Sequence, residues 1–159
     1  MLDIAWRLLV VLLLVFLNAF FVAAEFALVS VRRTRIEQLA AEGNMMARIV
    51  RRALGDPNRF ISAAQLGITM ASLGLGWVGE PTLARLIGPA LESILPHRIV
   101  FVTSHGVAIF IAFALITLLH LVLGEQVPKM LALQRSEPVI LATAQVTELV
   151  SIVFRPFIS

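Results

Sequence analysis

The sequence predicts an all-α integral membrane protein in which three transmembrane helices are accompanied by amphipathic juxtamembrane helices. Three observations carry that class. Hydrophobic residues make up 59% of the 159-residue chain, charged residues only 14%, and mean hydropathy is +0.93, whereas roughly a quarter of a soluble domain is charged. Three segments of 20 residues or more are almost free of charge, long enough to cross a hydrocarbon core of about 30 Å. Seven of the 13 basic residues crowd into a single connection, the asymmetry that sets membrane topology. Only helices or closed barrels satisfy their backbone groups in lipid. The absence of cysteine excludes disulfides, thiolate metal sites and thiol nucleophiles. A net charge of only +3, concentrated in one loop, speaks against nucleic acid and for an anionic membrane surface as partner.

The first span runs from Leu8 to Val31, interrupted only by Asn18, Glu25 and Ser30. Arg7 ahead of it and the small residues Val22-Ala23-Ala24 are also features of a cleaved signal peptide, but the apolar run is too long and two more spans follow. Next comes VRRTRIEQLAAEGNMMARIVRRALGDPNRF, with Arg32, Arg33, Arg35, Arg48, Arg51, Arg52 and Arg59. The positive-inside rule makes this loop cytoplasmic, leaving the N-terminus outside and the C-terminus inside. Ile36, Leu39 and Ala40, then Ile49, Val50 and Ala53, recur at helical spacing. Two short juxtamembrane helices are expected over about 34–54, broken at Gly43-Asn44 and stopped by Gly55-Asp56-Pro57-Asn58.

The second span, 60–79, carries no charge. The outer connection, Glu80 to Arg98, contains Pro81, Pro89 and Pro96 and reads as a turn plus a small lid helix. The third span, 99–124, has no Asp, Glu, Lys or Arg, only His105 and His120 as titratable groups. A C-terminal helix over about 137–155 opens with Ser136 as N-cap and Glu137 and Pro138 in its first turn. It is long enough to be a fourth span, but Glu148 and its scattered polar residues favour the cytoplasmic interface. Arg155-Pro156-Phe157-Ile158-Ser159 reads as a linker into a further soluble domain.

Function has to come from polar groups at membrane depth, where they are costly. In the second span Ser62, Gln65, Thr69, Ser72 and Gly76 fall on one helical stripe. Asn18 and Glu25 share a face of the first span, as do Thr117 and Gly124 in the third. Two readings stand: interhelical glue, helped by the small face of Ala63, Gly67 and Ala71, or an ion site. The stretch LHLVLGEQVPKML sharpens the second. Gly124 with Pro128 four residues on interrupts a membrane helix and frees backbone carbonyls beside the Glu125 carboxylate. Hydroxyl and amide oxygens around one carboxylate suit a hard cation: Mg²⁺, Ca²⁺, Mn²⁺ or an alkali ion. His120 is read as a packing histidine, with ligand or proton carrier as the alternative.

At these residues the sequence resembles a known family. NAFFVAAEFALVSVRRTRIEQL, QLGITMASLGLGWVGEP and LGEQVPKMLAL are similar to the transmembrane domain of the CorC/CNNM magnesium transporters, and the resemblance covers essentially the whole chain. It implies a homodimer of three-helix protomers in the cell membrane, here a bacterial inner membrane, exporting Mg²⁺ in a process linked to Na⁺ by alternating access. A cytoplasmic nucleotide-binding module usually follows in that family. Carried over by position, Glu125 is the acidic Mg²⁺ ligand, the Gly124 carbonyl its neighbour and Ser62 a hydroxyl of the second helix. Val22 stands where many relatives have serine, and Ile68 where an asparagine follows the glycine. Gln65 and Thr69 from the stripe, backbone carbonyls around Ala23, and the Asn18 amide are the replacement oxygens. A membrane anchor and dimerisation scaffold remains the alternative function. An intramembrane hydrolase is disfavoured because no nucleophile and base share an arrangement.

Overall fold

The structure, a computed structural model, describes residues 2–94 and 100–158, and every element in it is helical. The first helix, α1 (Leu2–Ser30), is apolar almost throughout. It is followed by the short helices α2 (Arg33–Ala41) and α3 (Met45–Gly55). The expected break between them is a Schellman turn: Gly43 takes φ +99°, its N–H bonds the Ala40 carbonyl at 3.3 Å and the Asn44 N–H bonds that of Leu39 at 3.0 Å. Asn44 then caps α3 by accepting from the Ala47 N–H at 3.0 Å. The next helix starts the same way, with Asp56 accepting from the Arg59 N–H at 3.3 Å and Pro57 in the first helical position.

That helix, α4 (Pro57–Ile94), departs from expectation. It does not turn at Glu80-Pro81 but runs on through Pro81 and Pro89, so no separate lid helix forms before Ile94. Proline is tolerated in apolar helices where neighbouring helices and local hydroxyls accommodate the disturbed turn; Pro81 withholds a donor from the Trp77 carbonyl, and in the same turn the Thr82 hydroxyl bonds the Val78 carbonyl at 2.5 Å. Pro96 and Arg98, the rest of that connection, lie outside the described residues.

The third long rod is composite: α5 (Val100–Leu119), a π-helical segment π1 (His120–Gln126) and α6 (Val127–Gln134). Gly124 and Pro128 therefore do not break the helix; they widen one turn of it. The chain closes with α7 (Ser136–Val153) and the short α8 (Arg155–Ile158). Ser136 is the first residue of α7 rather than its cap: Arg135 holds the cap position and no side chain bonds there.

Among the described residues four helical segments are long and apolar enough to cross a membrane: Ile4–Ser30, Pro57–Ile87, Ile109–Gln134 and Ser136–Val153. The chain is thus a multi-pass, all-α membrane protein. Its exterior fits that solvent, with Trp6, Phe16, Trp77 and Phe110 turned outward. Even α7 is inverted, burying Thr143, Thr147, Glu148 and Ser151 while Val146, Leu149, Ile152 and Val153 face out.

Two apolar clusters hold the helices together. One joins α1, α4 and α5 through Val11, Val15, Leu75 and Ile116. The other ties the far half of α1 to α2, α3, α6, α7 and the start of α4, through residues such as Leu28, Ile36, Val50, Phe60 and Ile140. The expected small face of α4 is buried as well: Ala63 and Ala71 are inaccessible, and the Phe21 ring lies so close over Gly67 that any β-carbon would strike it.

Candidate functional site

Asn18 lies on α1 between Val15 of the first cluster and Ala23 of the second, and is wholly inaccessible. A buried amide must find partners for both of its ends. Its Nδ2 donates to the Gly124 carbonyl at 2.9 Å, and its Oδ1 accepts from the Ser72 hydroxyl at 3.1 Å. One side chain thereby ties α1 to α4 and to π1.

The Gly124 carbonyl is available because of Pro128. In an α-helix that carbonyl would accept from the N–H four residues on, and proline has none. The π turn carries the chain past the gap: its closing N–H, at Val127, reaches back five residues to Val122. Gly124 itself is buried, and a β-carbon there would come within 3.2 Å of Asn18 Nδ2, so a larger residue would push the amide off its carbonyl.

Glu125, the next residue, is half-exposed, and its Oε1 lies 3.0 Å from His120 Nε2. His120 Nε2 is also 3.5 Å from Asn18 Nδ2. Asn18, Ser72, His120, Gly124 and Glu125 so form one connected polar layer between the two apolar clusters. No group of three or more His, Asp or Glu side chains converges among the described residues; the layer offers one carboxylate and several neutral oxygens.

The sequence-derived site residues divide into two sets. Asn18, Gly124 and Glu125 are brought together. Gln65 and Thr69 lie one to two turns of α4 before Ser72 and are exposed. Gln65 Nε2 donates to Glu25 Oε1 at 3.4 Å, and the Thr69 hydroxyl bonds the Gln65 carbonyl at 2.8 Å. Ser62 is half-buried near the start of α4 and its hydroxyl has no hydrogen-bond partner among the described residues. The stripe is real, but Ser72 is its member that joins Asn18. Among the described residues Lys129 pairs with neither Glu125 nor another carboxylate: its Nζ stands 4.6 Å from the centre of the Phe26 ring.

Two contacts went unread in the sequence. His120, taken for a packing residue, touches the carboxylate; five-residue spacing signals such a contact only once the π turn is known. Arg59 at the start of α4 forms a short ion pair with the buried Glu148 of α7, and Glu148 Oε2 also accepts from Ser151 at 3.4 Å. No local pattern links positions so far apart.

Comparison with known proteins gives the family. Residues 8–159 match the profile of the CNNM family, "Cyclin M transmembrane N-terminal domain". UPF0053 protein YhdT of Bacillus subtilis is 47% identical over 146 residues, covering 91% of this chain and 31% of that protein. UPF0053 protein YhdP of the same organism is 43% identical, covering 84% and 29%. UPF0053 protein sll0260 of Synechocystis is 36% identical, covering 93% and 32%. The chain spans about a third of the length of these curated relatives. With this match over nearly its whole length, the chain belongs to the CNNM (CorC/UPF0053) family of membrane domains, which is not an enzyme family.

Proposed function

We propose that this domain moves Mg²⁺ across the membrane, with Glu125 as its acidic ligand and the Gly124 carbonyl beside it. The observation that carries the reading is the polar layer itself. A carboxylate stands next to a carbonyl that lacks its α-helical partner, on an otherwise carboxylate-free rod, between two apolar clusters. Mg²⁺ takes close to six oxygens at about 2.0–2.1 Å and gives up its waters reluctantly, so one carboxylate with neutral oxygens binds it without trapping it. The choice of Mg²⁺ among hard cations, Na⁺ as coupling ion, export as direction and the homodimer all rest on the family resemblance. Alternating access requires the helices to rearrange around the layer. Ser62, Gln65 and Thr69 contribute oxygens only in a state that turns α4 toward Gly124.

Three membrane crossings with α7 along the cytoplasmic interface suit the ion pairs best. Arg35 of α2 bonds Glu137 at 3.2 Å, while Arg59 of α4 holds Glu148. Both arginines flank the loop between the first two spans. The two glutamates are separated by 11 residues, about 16 Å of helix, yet both are held by arginines of the stretch between the first two spans. Such a helix lies along the membrane plane rather than across it. The basic loop then faces the anionic inner leaflet of a bacterial inner membrane, with the N-terminus outside and the C-terminus cytoplasmic.

One observation favours a second reading. The Asn18 bonds join three elements as helix glue would, which fits a membrane anchor and dimerisation scaffold. Reconstitution of the chain into liposomes loaded with a Mg²⁺ indicator separates the two. Transport predicts Mg²⁺ flux in the wild type and its loss in a folded Glu125→Ala variant; equal flux in both would remove Glu125 from the site.

A further inference from the structure

We propose that His120 is the positioning residue of this site: its imidazole N–H fixes the Glu125 carboxylate so that the second oxygen, Oε2, is presented to the ion. The inference deepens the Mg²⁺ reading above and rests on it. Its basis is a contact that an α-helix would not make. Residues five apart on an α-helix diverge by about 140° around the axis, whereas the five-residue bonding of π1 stacks them, and His120 Nε2 meets Glu125 Oε1 at 3.0 Å.

The proton on that nitrogen follows from its neighbours. Asn18 Nδ2 gives one of its two N–H groups to the Gly124 carbonyl at 2.9 Å and stands 3.5 Å from His120 Nε2, the longer of that nitrogen's two contacts. A carboxylate at 3.0 Å accepts only from an N–H, so Nε2 carries the hydrogen and Oε1 receives it. The His120 side chain is 16% exposed against 41% for Glu125. A largely buried donor thus bonds one oxygen of the more exposed carboxylate, and Oε2 has no hydrogen-bond partner among the described residues. Donors placed behind a metal ligand in this way fix its orientation, and their loss typically costs about 10–100-fold in metal affinity.

The test is calorimetric titration of MgCl₂ into the full chain in lipid nanodiscs, with a thermal melt of each variant. His120→Ala is expected to weaken Mg²⁺ binding about 10–100-fold while the melt stays near that of the wild type. His120→Gln, whose amide N–H reaches the same oxygen, is expected to recover most of the affinity. Should the alanine variant not fold, His120→Asn, too short to reach Glu125, takes its place. Unchanged or tighter binding in the variant without a donor, or a glutamine variant as weak as that one, would overturn the role of His120. Glu125→Ala, run alongside, separates the failures. If it loses binding while His120→Ala does not, only this inference falls; if it binds like the wild type, the site reading falls and this inference with it.

Discussion

Asn18 decides what the centre of the bundle can be. A side-chain amide at that depth costs free energy unless both its ends are bonded, and here Ser72 and Gly124 bond them. Asn18→Ala would leave the Gly124 carbonyl and the Ser72 hydroxyl without that partner. Interhelical bonds between membrane helices contribute about 0.6–2 kcal/mol, so a loss of that order is expected from thermal unfolding in detergent, with Asn18→Asp no substitute because a carboxylate cannot donate to the carbonyl. An unchanged melting point would mean that the layer is not held by this residue. The sequence marked Asn18, Gly124 and Glu125 because a polar group in a long apolar run is conspicuous by itself. It could not pair them, since the partner of a buried amide is chosen by packing across helices. That is also why Ser72, rather than Gln65 or Thr69 from the same stripe, proved to be the group facing Asn18.

At the scale of elements, the informative feature is the turn from His120 to Gln126. Proline at 128 removes one N–H, and the extra residue of the π turn both exposes the Gly124 carbonyl and stacks His120 on Glu125. Pro128→Ala restores the missing donor, so the Gly124 carbonyl regains an α-helical bond. Weaker Mg²⁺ binding with equal or higher thermal stability is expected, a combination that simple damage to the fold does not produce. Binding and stability falling together would contradict this account of the turn. The pair Arg59–Glu148 makes a second case. Removing one partner of a buried pair costs about 3–5 kcal/mol, and the side-chain exposure of Arg59, 30% against 11% for Glu148, places Arg59→Ala toward the lower end. Arg59→Met with Glu148→Leu is expected to recover much of that loss in a denaturation series, because the orphaned charge is gone. The long apolar helices, the juxtamembrane helices and the breaks between them were legible because hydrophobic runs, Gly43-Asn44 and Asp56-Pro57 act locally, whereas the cap expected of Ser136 did not form. The passage of α4 through Pro81 and the π turn were not, since each depends on other parts of the fold, as where Asn18 of α1 takes up the Gly124 carbonyl.

For the whole molecule, topology is the testable quantity. The chain has no cysteine of its own, so single cysteines report cleanly. Ser136→Cys at the start of α7 and Arg155→Cys just past its end are both expected to react with an impermeant maleimide from the side of the basic loop. Reaction from opposite sides would make α7 a fourth crossing, which its length and composition permit. Mean hydropathy made the membrane class readable from sequence, and the crowding of arginines in one loop supplies the orientation that this labelling tests. For α7, Glu148 and its polar neighbours favoured the cytoplasmic interface, but no local pattern named Arg59 as the partner of Glu148. The central claim is that the layer around Glu125 binds Mg²⁺, and calorimetric titration of MgCl₂ into the wild-type chain and Glu125→Ala, each with and without Na⁺, tests it most directly. Saturable binding in the wild type that is lost in the variant is the predicted result; binding absent from both, or equal in both, would contradict it.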